Sequence, residues 1–310
     1  MTICSPSEYS SPSLPKEMVT ISQVAKISAR VLKIALALIV VKKIVKHRKI
    51  NPFDISTITL SWLFIDQFAV PRLPINARRA VNWVKGLSRE VLTLLFFGSI
   101  YFYRLEKGNP KPTISGETPL IIAAHGCYHN SSAWVYGKKY FEKAGFPFIT
   151  LTQSKRTESI RQFSNQILSL SKEYFPYIKK NGVLFLGHSM GGLAACAAAA
   201  RFHKNHPNLQ SKVYVITLAS PLQGTYLAKI AIGKCSNEME RESKYLSRLI
   251  YDVQQTPSII HHFISQADLI SPHALPKTWE NIHQIDGISH MGILFSDEVY
   301  NRIYKILINA

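Results

Sequence analysis

Three side-chain types that acyl-transfer chemistry uses together occur in this chain in the order serine, aspartate, histidine. The serine is Ser189, within Gly187-His188-Ser189-Met190-Gly191-Gly192. A serine hydroxyl is a poor nucleophile until a base takes its proton, and the usual base is a histidine whose ring a carboxylate holds in place. Glycines two before and two after the serine let the backbone double back, so that the hydroxyl stands out at a strand-to-helix bend. Such a five-residue pattern is weak alone and gains weight from what flanks it. Downstream, the best-placed histidine is His290, in Gly287-Ile288-Ser289-His290-Met291-Gly292, and the best-placed acid is Asp268, in Ser265-Gln266-Ala267-Asp268-Leu269-Ile270. Asp286, four residues before His290, and Asp252 are rival orienters. Asp268 is preferred because it directly follows an apolar, strand-like run.

An attacked carbonyl develops negative charge on its oxygen, and that charge needs fixed N–H donors. A helix opening at Met190 aims its first amides and its positive dipole end toward the serine, so the Met190 amide is one donor. Upstream, Ala123-Ala124-His125-Gly126-Cys127-Tyr128 follows another apolar run, and a His125-Gly126 turn there brings backbone close to the reacting centre. The Cys127 amide is read as the second donor. His188 is read as a packing residue of the bend, and His129 as a surface histidine.

These residues need a frame. Apolar runs at Leu120–Ala124, Pro147–Leu151, Val183–Leu186, Val213–Leu218 and Ser258–Ile264, with a short one at Asn281–Ile285, predict strands. Helical stretches are expected between them, notably Ser159–Lys180 and the alanine-rich Leu193–His203. Strands alternating with helices predict a mostly parallel sheet covered on both faces, with Asp268 and His290 at the carboxyl ends of strands, where an open α/β sheet meets its ligands. The longer stretch at about 222–256 carries Tyr245, Leu246, Leu249 and Ile250 at helical spacing and predicts an amphipathic lid or cap.

On His125-Gly126, Gly187-His188-Ser189-Met190-Gly191-Gly192, Leu218-Ala219-Ser220-Pro221-Leu222-Gln223-Gly224-Thr225, Asp268 and His290, the chain from about Pro119 to Ala310 resembles the α/β-hydrolase family, and within it lipases and esterases. The resemblance implies an α/β-hydrolase fold with Ser189 as nucleophile, His290 as general base and then acid, Asp268 as its orienter, and the Cys127 and Met190 amides as the oxyanion hole. Two features depart from the family pattern. Residues 1–105 match nothing in it, and Cys127 stands where many relatives carry a larger apolar residue.

Composition bounds the rest. With 310 residues, 46% of them hydrophobic, the chain is long enough for one sizeable domain and a further region. Its net charge of +18 is uneven, since residues 1–112 hold 17 Lys and Arg against 6 Asp and Glu. Residues 1–20, rich in Ser and Pro, read as a flexible tail, residues 21–108 as a basic, all-helical N-terminal region, and residues 109–310 as the catalytic domain. Between Lys26 and Lys49 lie eight basic residues and no acid, interleaved with Val, Ile and Leu, a composition suited to an anionic membrane interface. The uninterrupted apolar run Ile34–Val41 is too short to span a bilayer, and no cleavable signal peptide is evident. A cytoplasmic protein, or one peripheral on a membrane through residues 21–105, is expected. Nucleic acid is not an expected partner, because no aromatic-basic recognition motif accompanies the charge. Cys4, Cys127, Cys196 and Cys235 are far apart with no C-x-x-C pair, and His261 and His262 would face opposite sides of a strand, so neither a metal nor a cofactor is expected.

The expected activity is hydrolysis of a carboxylic ester by a serine hydrolase of lipase or phospholipase type, through an acyl-enzyme. A soluble esterase or thioesterase is the nearest alternative, and a non-catalytic membrane- or partner-binding protein on the same scaffold is a more distant one.

Overall fold

The computed structural model describes residue 114 and residues 116–309, apart from 154, 156, 257, 258, 269, 272–274 and 276–278. The expected tail and the expected basic helical region lie outside the described residues. Six strands, β1 (Leu120–Ala124), β2 (Phe148–Leu151), β3 (Val183–His188), β4 (Val213–Leu218), β5 (Ile259–Ser265) and β6 (Ile282–Ile285), form one sheet in the order β2-β1-β3-β4-β5-β6. Every neighbouring pair is parallel. The chain leaves β1 for β2 on one side and returns to β3 on the other, so the order reverses between β1 and β3. That reversal opens a crevice at their carboxyl ends.

Both faces of the sheet are covered, which explains why β1, β3 and β4 read as continuous apolar runs instead of alternating ones. Successive side chains still point to opposite faces. Leu120, Ile122, Val183, Phe185, Val213 and Val215 face a core shared with α2 (Ile160–Glu173) and α4 (Met190–Asn205). Ile121, Ala123, Leu184, Leu186, Tyr214 and Ile216 face a second core built with α1 (Val135–Lys143) and α7 (Asp297–Ile308). Alanines and glycines let α4 lie close to the sheet. A Cβ at Gly192 would stand 1.9 Å from Ser220 Oγ, and one at Gly191 would stand 2.2 Å from the Ala124 carbonyl oxygen.

The expected single helix over Ser159–Lys180 is two helices, α2 and α3 (Phe175–Asn181), meeting at Tyr174. Pro176, in the first turn of α3, accounts for the break, because its ring lacks an N–H and collides with the carbonyl four residues back in a continuous helix. Ser159 Oγ starts α2 by accepting from Gln162 N at 3.1 Å, a cap worth about 1 kcal/mol. The 222–256 stretch contains a turn of 3₁₀ helix at Tyr226–Ile230, α5 (Lys234–Met239) and α6 (Lys244–Gln254). Leu246, Leu249 and Val253 of α6 are buried in the core that α4 also lines, whereas Tyr226, Leu227 and Ile232 are exposed.

Candidate active site

The bend after β3 is sharp. Ser189 has φ 55° and ψ −126°, a backbone conformation that L-residues rarely adopt and that persists only where its surroundings enforce it. Those surroundings are close packed. A Cβ at Gly187 would meet the Gly191 carbonyl oxygen at 2.3 Å, and one at Gly126 would meet Ser189 Cβ at 3.0 Å, so these positions hold glycine for want of room. Ser189 N donates to Leu218 O at 2.9 Å, extending the β3–β4 ladder into the bend. The Ser189 side chain makes no capping bond to α4, which leaves its hydroxyl for other work. Met190 is the first residue of that helix, and its amide is among those a helix cannot satisfy internally.

Asp268 and His290 come from the ends of β5 and β6. His290 Nδ1–H donates to Asp268 Oδ2 at 2.9 Å, with both residues buried. The other carboxylate oxygen, Oδ1, accepts from Ile270 N at 2.8 Å and Ser271 N at 2.9 Å, so backbone fixes the acid before it reaches the imidazole. The two loops are fastened to each other, because Ser265 Oγ donates to Ile288 O and accepts from Ala267 N at 3.2 Å. Neither rival acid reaches the histidine. Asp286 is exposed and accepts from Gln284 Nε2 at 3.2 Å, and Asp252 pairs with Arg248 at 3.0 Å on α6.

With Nδ1 protonated toward Asp268, Nε2 of His290 is the nitrogen left to accept a proton. His188, immediately before Ser189, lies under the same imidazole: its Nε2–H donates to the His290 carbonyl oxygen at 2.9 Å and the rings are 4.8 Å apart. Burial, and then the neighbouring His290, hold the His188 ring well below the ordinary histidine range, so it stays neutral. His188 therefore does more than fill space in the bend, a role that its neighbours in sequence do not indicate.

The loop after β1 is set by His125, whose Nδ1–H donates to Gly126 O at 2.7 Å and whose Nε2 accepts from Gln153 N at 3.0 Å. One tautomer satisfies both bonds and ties this loop to the one after β2. Tyr128 follows at φ 56°. His129, expected at the surface, is buried, because Asn130 turns the chain inward: its Oδ1 accepts from Ser132 N at 2.9 Å and starts the 3₁₀ turn Ser131–Trp134. Cys127 Sγ is 3.8 Å from Cys235 Sγ of α5. Among the described residues no cluster of His, Cys, Asp or Glu suits a metal ion, and no helix is long and apolar enough to cross a membrane. His261 instead pairs with His283 at 2.8 Å, and His262 with Thr217 Oγ1 at 2.8 Å.

Two surface cavities, of about 930 and 450 Å³, are lined by the far half of α4 with α2, α3 and α6. They hold none of Ser189, Asp268, His290, Cys127 or Met190 and lie toward the other end of α4 from Ser189.

Residues 134–277 match the lipase (class 3) family, a stretch that includes Ser189 and Asp268 and stops short of His290. No curated protein matches the sequence. Among solved structures, Aspergillus fumigatus lipase B is similar at 14% identity and a TM-score of 0.50, over 62% of this chain and 54% of its own. The chain thus spans about half the length of that lipase. The mature form of Bacillus licheniformis lipase BlEst2 is 16% identical over 64% of this chain and 96% of its own, with a TM-score of 0.49. The parallel six-stranded sheet and the fold shared with the Aspergillus lipase give this chain the α/β-hydrolase fold, and residues 134–277 make it similar to class 3 lipases.

Proposed function

We propose that this protein is a serine hydrolase that cleaves the carboxylic ester of a lipid through an acyl-enzyme. The observation that carries the reading is the buried 2.9 Å Asp268–His290 pair, whose His290 carbonyl is bonded to His188, the residue before a serine held at φ 55°. Ser189 Oγ attacks the ester carbonyl while His290 Nε2 takes its proton, and Asp268 stabilises the imidazolium that forms. The oxyanion accepts from the Met190 and Cys127 amides. The intermediate collapses as His290 returns the proton to the departing alcohol, leaving Ser189 acylated. Water then attacks the acyl group, His290 takes the water's proton, and collapse frees the carboxylic acid and restores the Ser189 hydroxyl. No step calls for a metal or a cofactor.

Exposed Tyr128, Tyr226, Leu227 and Ile232 favour a lipid over a small soluble ester. Tyr128 and Ile232 are joined through the Tyr128 hydroxyl, so apolar surface collects where the loop after β1 meets the cap. Of the 222–256 stretch, the part that acts as lid is 226–239, whose Tyr226, Leu227 and Ile232 are exposed while Ala228, Cys235 and Met239 seat it on the core. Residues 21–105 attach the protein to an anionic membrane.

The test is labelling with a fluorophosphonate, followed by hydrolysis of p-nitrophenyl esters of increasing chain length. Wild-type protein should label, and activity should rise with acyl length. Ser189→Ala should remove both labelling and hydrolysis while the protein stays folded. Labelling that survives Ser189→Ala would remove the nucleophile from the proposal, and a preference for acetyl esters would point to the soluble-esterase alternative.

A further inference from the structure

Two cysteines 108 positions apart in the chain meet between the loop after β1 and the cap. Cys127 Sγ, partly exposed, stands 3.8 Å from Cys235 Sγ, which is buried at the start of α5. Beside the contact, two further bonds join the same segments: the Tyr128 hydroxyl donates to Ile232 O at 2.5 Å and accepts from Ile232 N at 2.6 Å. Between Ile232 and Cys235, Lys234 N donates to Thr157 O at 2.9 Å and fixes the start of α5. The two sulfurs are thus held facing each other by backbone on both segments. A disulfide needs them at about 2.05 Å, roughly 1.8 Å closer.

We propose that Cys127 and Cys235 are a redox modification site, at which a peroxide-class oxidant joins the two thiols as a disulfide and locks the cap onto the loop that supplies the Cys127 amide. In the reaction the peroxide O–O bond breaks and one S–S bond forms. The two sulfurs together lose two electrons, the peroxide oxygens gain them, and the two thiol protons leave with those oxygens as two waters. The pair is also primed for it. The hydrogen bond between the thiols lowers the Cys235 thiol and raises that of Cys127, so one thiolate forms first and is held by its neighbour's S–H. Cys196, by contrast, is buried in α4 with its thiol pushed up to about 12, and serves as an internal control.

The consequence for activity rests on the hydrolase reading, and the chemistry of the pair does not. With the disulfide formed, residues 232–235 cannot part from the Cys127–Tyr128 turn, so a lid that opens there stays shut.

The experiment uses the full chain carrying Cys4→Ser, treated with hydrogen peroxide, alkylated, digested and mapped by mass spectrometry, with hydrolysis of a long-chain ester followed in parallel. The expected result is a linked peptide pair containing Cys127 and Cys235, two hydrogens lighter than the separate peptides, with Cys196 still reduced. Hydrolysis should be lost on oxidation and restored by dithiothreitol, and in Cys235→Ala it should no longer respond reversibly. Oxidation of Cys127 to sulfinic or sulfonic acid with no linked peptide would overturn the proposal. A linked peptide with unchanged hydrolysis would overturn the locking role. Protein that hydrolyses no ester before oxidation counts against the hydrolase reading alone, and the linked peptide still decides the thiol pair.

Discussion

His188 Nε2 lies 2.9 Å from the carbonyl oxygen of His290, a hydrogen bond across 102 residues that joins the bend at Ser189 to the loop after β6. The bond needs a proton on Nε2, and burial together with the neighbouring His290 keeps the ring neutral. If His188 positions His290, removing the bond should lower kcat with little change in KM. His188→Phe fills the space without a donor, and a loss on the order of 10²-fold is expected from a general base displaced by about 1 Å. His188→Gln, which can restore an N–H, should recover part of it. Equal activity in the two variants would show that only the volume of the side chain matters.

The orienting acid gives a sharper contrast. Asp268→Asn keeps the shape but favours the wrong imidazole tautomer, and turnover should fall by on the order of 10⁴-fold, as in the serine-protease case. Asp286→Asn removes an exposed carboxylate bonded to Gln284 and should change turnover less than about twofold. Steady-state rates for the two variants check the assignment, and a larger loss at Asp286 would reverse it.

Packing at the start of α4 predicts a stability effect separable from chemistry. A Cβ at Gly192 would meet Ser220 Oγ at 1.9 Å, Ser220 Cβ at 2.8 Å and Thr217 Cβ at 3.1 Å. Rotating the hydroxyl leaves the Cβ contacts, so Gly192→Ala should cost about 1–3 kcal/mol and lower Tm by several degrees. Adding Ser220→Gly removes the first two contacts and should return part of the loss. Thermal unfolding of the two single variants and the double variant closes that cycle, and strict additivity would mean the clash is relieved elsewhere.

Much of this arrangement was legible because the chemistry demands small residues in a fixed order. Gly187 and Gly191 mark places where backbone meets backbone, whereas strand ends alone do not separate Asp268 from Asp286, which directly follows β6; the 2.9 Å contact with His290 does. What was not legible depends on partners distant in sequence. The His188–His290 bond spans 102 residues and the Cys127–Cys235 contact spans 108, and no local pattern announces either. His129 reads as a polar loop residue until the Asn130 turn buries it. In the 222–256 stretch, periodicity finds α6 and its apolar face, but which surface that face covers is decided by α4.

Acid should destabilise the fold through His262. Its ring is buried between Thr217 and Trp279, and burial first, then the charges of His261 and His283, lower it from 6.5 to about 3. The unfolded chain therefore binds a proton below pH 6.5 that the folded chain refuses until pH falls to about 3. Stability rises with pH across that window, is fully present above 6.5, and is lost progressively as pH drops through it, by at most about 5 kcal/mol. His188 titrates in the same direction, so the comparison must be with a variant. His262→Gln can keep the Thr217 bond without a titrating ring, and urea unfolding at pH 7 and pH 5 should show a smaller difference for it than for wild type. An unchanged difference would exclude His262 as a source.

The basic N-terminal region makes the last prediction, from sequence alone. Eight Lys and Arg without an acid lie between Lys26 and Lys49, each worth about 1 kcal/mol near an anionic membrane surface. Together they should hold the protein on such a surface, and the attachment should weaken with salt as the Debye length contracts from about 10 Å at 0.1 M toward 3 Å at 1 M. Full-length protein should therefore co-sediment with vesicles containing phosphatidylserine at low ionic strength and release at high. Deleting residues 1–50 should reduce hydrolysis of an ester held in those vesicles and spare a short soluble ester, because the Asp268–His290 pair and the Ser189 bend lie wholly within the six-stranded domain. No sedimentation at low salt would remove the membrane role. Equal loss on both substrates would show instead that the N-terminal residues support the hydrolase fold itself.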